Sequence, residues 1–217
     1  MTELLRDIAV GDFPPGAMLP REVDLVQRFG ISRGVVRECL RGLEERGVVL
    51  VKHGRGATVT EPSEWDVFDP DVLAALLESP QGDDFEAESL ECQRLLEVEA
   101  AALAAQRADE HDVAALTSSV ERMEKAAGQA GRSRAAADRF HEADIDFHRA
   151  VVRASGNRAI GRLTRPLHRA LATAAQRRGD GSELECSVDE HRRILDAVAE
   201  GDAEAARKAM AAHLSQR

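Results

Sequence analysis

The sequence predicts a mainly α-helical chain in two parts. Short helices and a two-stranded hairpin come first, and an all-helical bundle follows. Three observations predict this. Of the 36 alanines, 33 follow Pro70, which marks the C-terminal part as long helices. The first 62 residues hold four of the seven prolines (Pro14, Pro15, Pro20, Pro62) and eight of the 16 glycines, so elements there are short and punctuated by turns. Charge divides at the same place: residues 1–62 carry nine basic and nine acidic side chains, and the remainder carries 20 and 30.

That division matters for function. The formal net charge of −10, averaged over 217 residues, argues against a nucleic-acid partner. Taken by parts, all of the excess acid belongs to the helical portion. At 43% hydrophobic and 31% charged, the chain has the composition of a globular protein. Its longest uncharged apolar runs, such as Ala100–Ala105, are far short of the roughly 20 residues a membrane span needs. The N-terminal MTELLRDIAVGD has acids where a secretory signal would be basic and then apolar. Cys39, Cys92 and Cys186 are odd in number and widely spaced, so no disulfide framework is expected. A reduced, cytoplasmic location with no membrane partner is the expectation.

Few residues precede Gly11, so a first helix is short. Gly11–Pro20 is turn-rich, and Pro20 suits the first turn of a helix, where its missing N–H would be unpaired anyway. That helix carries Val23, Leu25, Val26 and Phe29 and stops at Gly30. Ser32 is the expected N-cap of a second helix, Arg33 to Arg46, with Val36, Leu40 and Leu43 on one face and Gly47 at its end. Val48–Lys52 and Ala57–Thr60 read as strands joined by the turn His53-Gly54-Arg55-Gly56. Helix, short turn, helix and hairpin is the order of a winged helix-turn-helix.

The side chains fit that reading. With Val36, Leu40 and Leu43 facing a core, Arg33, Arg37 and Arg41 recur every four residues on another face. Guanidinium groups can fork onto guanine edges or clamp phosphates. Residues 31–56 hold six basic and three acidic side chains, a local excess of positive charge. Lys52, His53 and Arg55 on the wing could reach the flanking backbone or the minor groove. A basic helix alone is usually just a solvated face; turn, cap and wing in order favour double-stranded DNA.

Thr60–Pro70, with Pro62, Trp65 and Pro70, reads as a linker, followed by a helix near Asp71–Glu78. Six longer helices follow, roughly 85–107, 110–127, 134–154, 157–177, 188–200 and 203–215, separated at Gly128/Gly131, Ser155-Gly156-Asn157, RRGDGSE and Gly201-Asp202. Ser187-Val188-Asp189-Glu190 suits a capping box opening the penultimate helix. The expected domains are therefore 1–62, a linker with its connecting helix at 63–84, and a helical domain at 85–217.

Six of the seven histidines lie in this helical part. Asp144 and His148 stand at i and i+4, about 6 Å apart at Cβ, where carboxylate and imidazole can hold one cation together. His191 opens the next-to-last helix and His213 ends the last. In an antiparallel pair joined at Gly201-Asp202, those two ends are neighbours. One Asp and three His suit Zn²⁺ first, with Ni²⁺, Mn²⁺ or Fe²⁺ as alternatives. An isolated Asp-x-x-x-His is ordinary on a solvated helix, and His111, His141 and His168 fit no ligand set; they read as surface or packing residues.

Both parts resemble one family. GDFPPGAMLPREVDLVQRFGISRGVVRECLRGLEERGVVLVKHGRGATV is similar to the DNA-binding domain of GntR-family regulators. It carries the runs G-x-x-P-P-G-x-x-L-P-x-E and S-R-x-x-V-R-E and a G-x-G wing. The resemblance implies that Arg33 and Arg37 reach bases or phosphates in the major groove, with His53 and Gly54 at the minor groove. The implied DNA-contacting set is Arg21, Ser32, Arg33, Gly34, Arg37, His53, Gly54 and Arg55. Arg21 stands where Ser or Ala is usual, and Cys39 where Ala is usual.

ECQRLLEVEAAALAA, ADIDFHRAVVRASGN and DEHRRILDAVAEGDAEAARKAMAAHL resemble the FCD effector domain of the FadR-like branch. The resemblance implies metal ligands at Asp144, His148, His191 and His213, and a small carboxylate or sugar acid as effector. Where an Arg is usual, four residues ahead of the Glu of L-E, this chain has Gln93 with Arg94 beside it. Either Arg94 takes over the effector carboxylate, or the effector is less acidic. EWDVFDPDVLAALL is also similar to the linker and first helix of sugar-acid-sensing members.

The expected function is a homodimeric transcription regulator, not an enzyme. Its winged helix would bind an inverted-repeat operator, and an effector in the bundle would relieve repression. Two alternatives stay open: a metal-dependent hydrolase using the Asp/His₃ set, and a regulator whose bundle only dimerises.

Overall fold

The computed structural model describes residues 1–52, 56–130, 133–178 and 184–215, and their side chains apart from those of residues 130, 169–170, 172–178 and 184–186. The chain divides into two compact units, Met1–Phe85 and Glu86–Arg217.

In the first unit, α1 (Thr2–Ala9) is followed by α2 (Glu22–Phe29) and α3 (Arg33–Glu45). Next come β1 (Val49–Lys52), β2 (Gly56–Val59) and, after a 3-10 turn at Pro62–Glu64, α4 (Pro70–Leu77). Helix α2 starts one step later than Pro20 suggests. Arg21 is its N-cap, and the Asp24 carboxylate accepts the Arg21 backbone N–H, fixing the start there. Gly30 ends α2 in the left-handed conformation (φ +64°), as a helix C-terminus before a sharp turn requires. Gly47 ends α3 with less latitude still, because a Cβ there would lie 2.2 Å from the Glu64 carbonyl oxygen.

The wing is an antiparallel pair in which Val49 faces Val59 and Lys52 faces Gly56. An isolated bridge from Met18 to Thr58 adds the Pro14–Pro20 region to its free edge. Leu5, Leu25, Val36, Leu43, Val48 and Val59 form the core of this unit, each almost wholly withdrawn from water.

The stretch read as a linker is folded onto this core. Trp65 is buried and its indole N–H donates to Thr60 Oγ1 at 3.1 Å. The Asp66 N–H meets the Arg46 carbonyl, and Arg46 pairs with Asp69 at 2.9 Å. Val72, Ala75 and Leu76 of α4 complete the apolar cluster.

The remaining helices are α5 (Gly82–Arg107), which runs across the division between the units, α6 (Glu110–Ala130), α7 (Arg134–Ala154), α8 (Arg158–Arg178), α9 (Leu184–Ala199) and α10 (Ala203–Leu214). Within the second unit α6 packs on α7 and α9, α7 on α8, and α9 on α10. Its core is rich in alanine, with Leu116, Met123, Phe140, Phe147, Ile194 and Met210 among the larger members. On α7, Phe140, Ala143, Phe147, Ala150, Val151 and Ala154 recur at helical spacing, so one face is buried throughout. Helix α9 begins at Leu184, so Ser187 lies inside it and does not open a capping box. The turn between α9 and α10 is closed by Asp202, whose carboxylate accepts the Glu204 and Ala205 N–H groups. Among the described residues, no helix is long and apolar enough to cross a membrane.

Candidate metal centre and nucleic-acid interface

Helix α7 presents Asp144 and His148 from successive turns of its buried face, α9 presents His191, and α10 presents His213. All four are buried, and one ligand atom from each lies within 4.8 Å of the others. Asp144 Oδ1 stands 3.0 Å from His191 Nε2 and 3.7 Å from His148 Nε2. His148 Nε2 and His213 Nε2 are 3.3 Å apart. Donors sharing one ion at about 2.1 Å stand roughly 3–3.4 Å from each other, close to these separations.

Protonation follows from what lies behind each ring. His191 Nδ1 is 2.6 Å from the Ser187 carbonyl oxygen, His213 Nδ1 is 2.8 Å from Glu190 Oε2, and His148 Nδ1 meets Glu97 Oε2. A carbonyl or an ionised carboxylate only accepts, so in each neutral imidazole the proton sits on Nδ1 and the Nε2 lone pair faces inward. His191 Nε2 accordingly has no hydrogen-bond partner although Asp144 is close, because neither atom carries a proton to share. Three inward lone pairs and one carboxylate form a donor set for a divalent cation, and the residues present fit one.

Glu97 was not legible as part of this group. It is wholly buried on α5, and its carboxylate accepts from His148, from His168 Nε2 and from the Gln93 side-chain amide at 2.8 Å. Burial acts to raise its pKa, but the charge that His148 and His168 carry when protonated, together with their hydrogen bonds, outweighs it and holds the carboxyl well below the usual range. His168 is thus no surface residue: it is buried on α8 and bound to this carboxylate. The available signal was the i, i+4, i+8 series Ser89, Gln93 and Glu97, a polar stripe on a helix whose buried face continues with Ala100, Ala101 and Ala104.

Of the two residues considered for effector binding, the fold separates one from the other. Gln93 is buried and faces Glu97, whereas Arg94, the next residue round the helix, is exposed. His111 is exposed and His141 half-buried, and neither belongs to the cluster.

In the first unit, Ser32 caps α3 by accepting the Val35 N–H at 3.3 Å. Val36, Leu40 and Leu43 point into the core while Arg33, Gly34, Arg37 and Arg41 are exposed. Arg37 Nε reaches Glu22 at 2.9 Å, and Arg41 pairs with Glu45 along its own helix. Arg21 at the start of α2 is exposed too. His53, Gly54 and Arg55 lie outside the described residues. Cys39 and Cys92 are free thiols.

A helix-turn-helix with a wing, on the same chain as a helical unit with a buried ligand cluster, defines a DNA-binding transcription regulator. The chain belongs to the GntR family of bacterial regulatory proteins: that family matches residues 1–59, and the FCD domain matches residues 88–216. It is 30% identical to the galactonate operon transcriptional repressor of Escherichia coli, over 94% of this chain and 87% of that protein. It is 31% identical to the HTH-type transcriptional regulator LutR of Bacillus subtilis, over 94% of this chain and 91% of that one. A solved structure of Lar, which controls expression of the Listeria monocytogenes agr system, shares the fold. Its TM-score is 0.67 at 20% identity, covering 99% of this chain and 90% of that one. The relatives are regulators, not enzymes.

Proposed function

We propose that this regulator is a repressor whose operator affinity is set by a small organic acid bound beside a divalent metal in the helical unit. The observation that carries the reading is the convergence of Asp144, His148, His191 and His213, with every imidazole turned by an acceptor at its Nδ1. These four residues would hold the metal, with Zn²⁺ the first choice. The ion would supply a Lewis-acid anchor for carboxylate and hydroxyl oxygens. The chain's part is to bury that anchor among apolar side chains, where an ion–carboxylate contact is little screened.

The name of the galactonate relative supports a sugar acid as effector and repression as the sign. Gln93, not Arg94, faces the buried polar group, which favours an effector that needs no arginine partner. On the DNA side, Arg33 and Arg37 would enter the major groove, with Ser32, Gly34 and Arg21 at the backbone and His53, Gly54 and Arg55 on the wing. Two copies would read an inverted repeat. An effector that binds the DNA-incompetent arrangement more tightly must lower operator affinity by the same free energy.

The test begins with DNA sites selected from a random pool by the purified protein. Sugar acids and hydroxy acids are then titrated into the complex with and without Zn²⁺. Release that requires both the acid and the metal is expected. Binding unchanged by any acid, in protein shown to carry metal, would leave a bundle that serves only to join two copies.

A further inference from the structure

We infer that Glu97 is a positioning residue for the metal centre, fixing the His148 ring from a helix that supplies no ligand. The inference rests on the metal reading above and assigns a role to a residue outside the ligand set. Glu97 is fully withdrawn from water, with His148 on one carboxylate oxygen and His168 and Gln93 on the other. A carboxylate in that position is costly unless all its acceptor sites are engaged. Here three donors from three helices, α5, α7 and α8, engage it.

The other two ligand imidazoles are held differently. His191 leans on a neutral carbonyl one turn earlier in its own helix, and His213 on Glu190, which is only part-buried. His148 alone is backed by a buried carboxylate that is itself clamped. Such a carboxylate fixes the tautomer and the ring plane and makes Nε2 a stronger donor, an effect of about 10–100-fold in metal affinity. His168 and Gln93 act one step further out. They keep the carboxylate from rotating away, and His168 Nε2 can donate only while its ring stays in the α8 contact with Glu97. A carboxylate that merely filled a polar gap would stabilise the bundle, and its loss would not be felt specifically through His148.

The experiment measures Zn²⁺ affinity of the full chain by competition with a chromophoric chelator. Glu97→Gln, nearly isosteric, should bind Zn²⁺ about 10–100-fold more weakly while its far-UV spectrum stays that of the parent. In a His148→Ala background the same change should produce no further loss, because its effect runs through that ring. An affinity within twofold of the parent, or an equal loss in both backgrounds, overturns the inference. Should Glu97→Gln fail to fold, ¹⁵N spectra of the imidazoles in the unsubstituted, metal-free protein decide the matter. The Nδ1–H tautomer of His148 is expected, and the Nε2–H tautomer overturns it. If the unsubstituted protein takes up no Zn²⁺, the metal reading itself fails. Uptake with unaltered affinity in Glu97→Gln removes only the role of Glu97.

Discussion

Asp144 Oδ1 and His191 Nε2 approach to 3.0 Å from different helices without forming a hydrogen bond, since the imidazole proton is committed to the Ser187 carbonyl. Two buried acceptors at that distance are unfavourable unless a cation or a proton lies between them.

Metal content therefore responds to either residue. Protein purified without chelator should carry about one divalent ion per chain, and Asp144→Asn or His191→Ala should carry almost none by elemental analysis. Free Zn²⁺ at 100 times its Kd should add about 2.7 kcal/mol to stability, read as a rise in melting temperature that chelator reverses. An unchanged melting temperature on metal removal would contradict the ligand set.

Arg37→Ala separates recognition from stability. Its pair with Glu22 is exposed, so the loss should change folding stability by no more than about 1 kcal/mol. If Arg37 forks onto a base, specific DNA affinity should fall by roughly 1–3 kcal/mol. Fluorescence anisotropy on a selected site and thermal melts of the same preparation check both. Equal loss on specific and random DNA would assign Arg37 to the phosphates instead.

Ser32→Ala removes the cap of the helix that carries those arginines. The orphaned Val35 N–H should lower the stability of the first unit by about 1 kcal/mol. Ser32→Gly, which keeps the cap backbone accessible, should cost only a few tenths of that order. Denaturant melts distinguish the two.

Leu43→Ala should be far more damaging, about 2–5 kcal/mol, because Leu43 is wholly buried beneath α3 and beside Val48 in the first core. The helical unit has its own core, so zinc binding should persist where DNA binding is lost. Loss of both together would mean that the two units do not unfold separately.

Local patterns carried much of this from the sequence. Gly30, Ser32 and Gly47 punctuate α2, α3 and the wing through backbone conformation and capping, which act over one turn of chain and are readable there. Asp144 and His148 share a helical face for the same reason, the turn at Gly201-Asp202 made His191 and His213 expected neighbours, and the resemblance to the family named all four as ligands. What was not readable depends on contacts between distant segments. Trp65 turned an expected linker into core because its partners are Thr60 and a cluster built from six elements. His168 reads as a surface or packing residue outside any ligand group until Glu97, 71 residues away, is brought beside it. Ser187 illustrates a third case: its place in a capping motif was locally sound, but α9 starts earlier, and its carbonyl serves His191.

The four ligands come from α7, α9 and α10, so an ion bound by them would tie the middle of the helical unit to the end of its last helix. In an unfolded chain that tie would close a long loop and strip away the entropy of an open coil, as a disulfide does. Unlike a disulfide it needs no oxidant, and thiol reductants would not cut it. The centre would then double as a clasp on the C-terminal helices, and a cell's supply of the metal would set how firmly that clasp is shut.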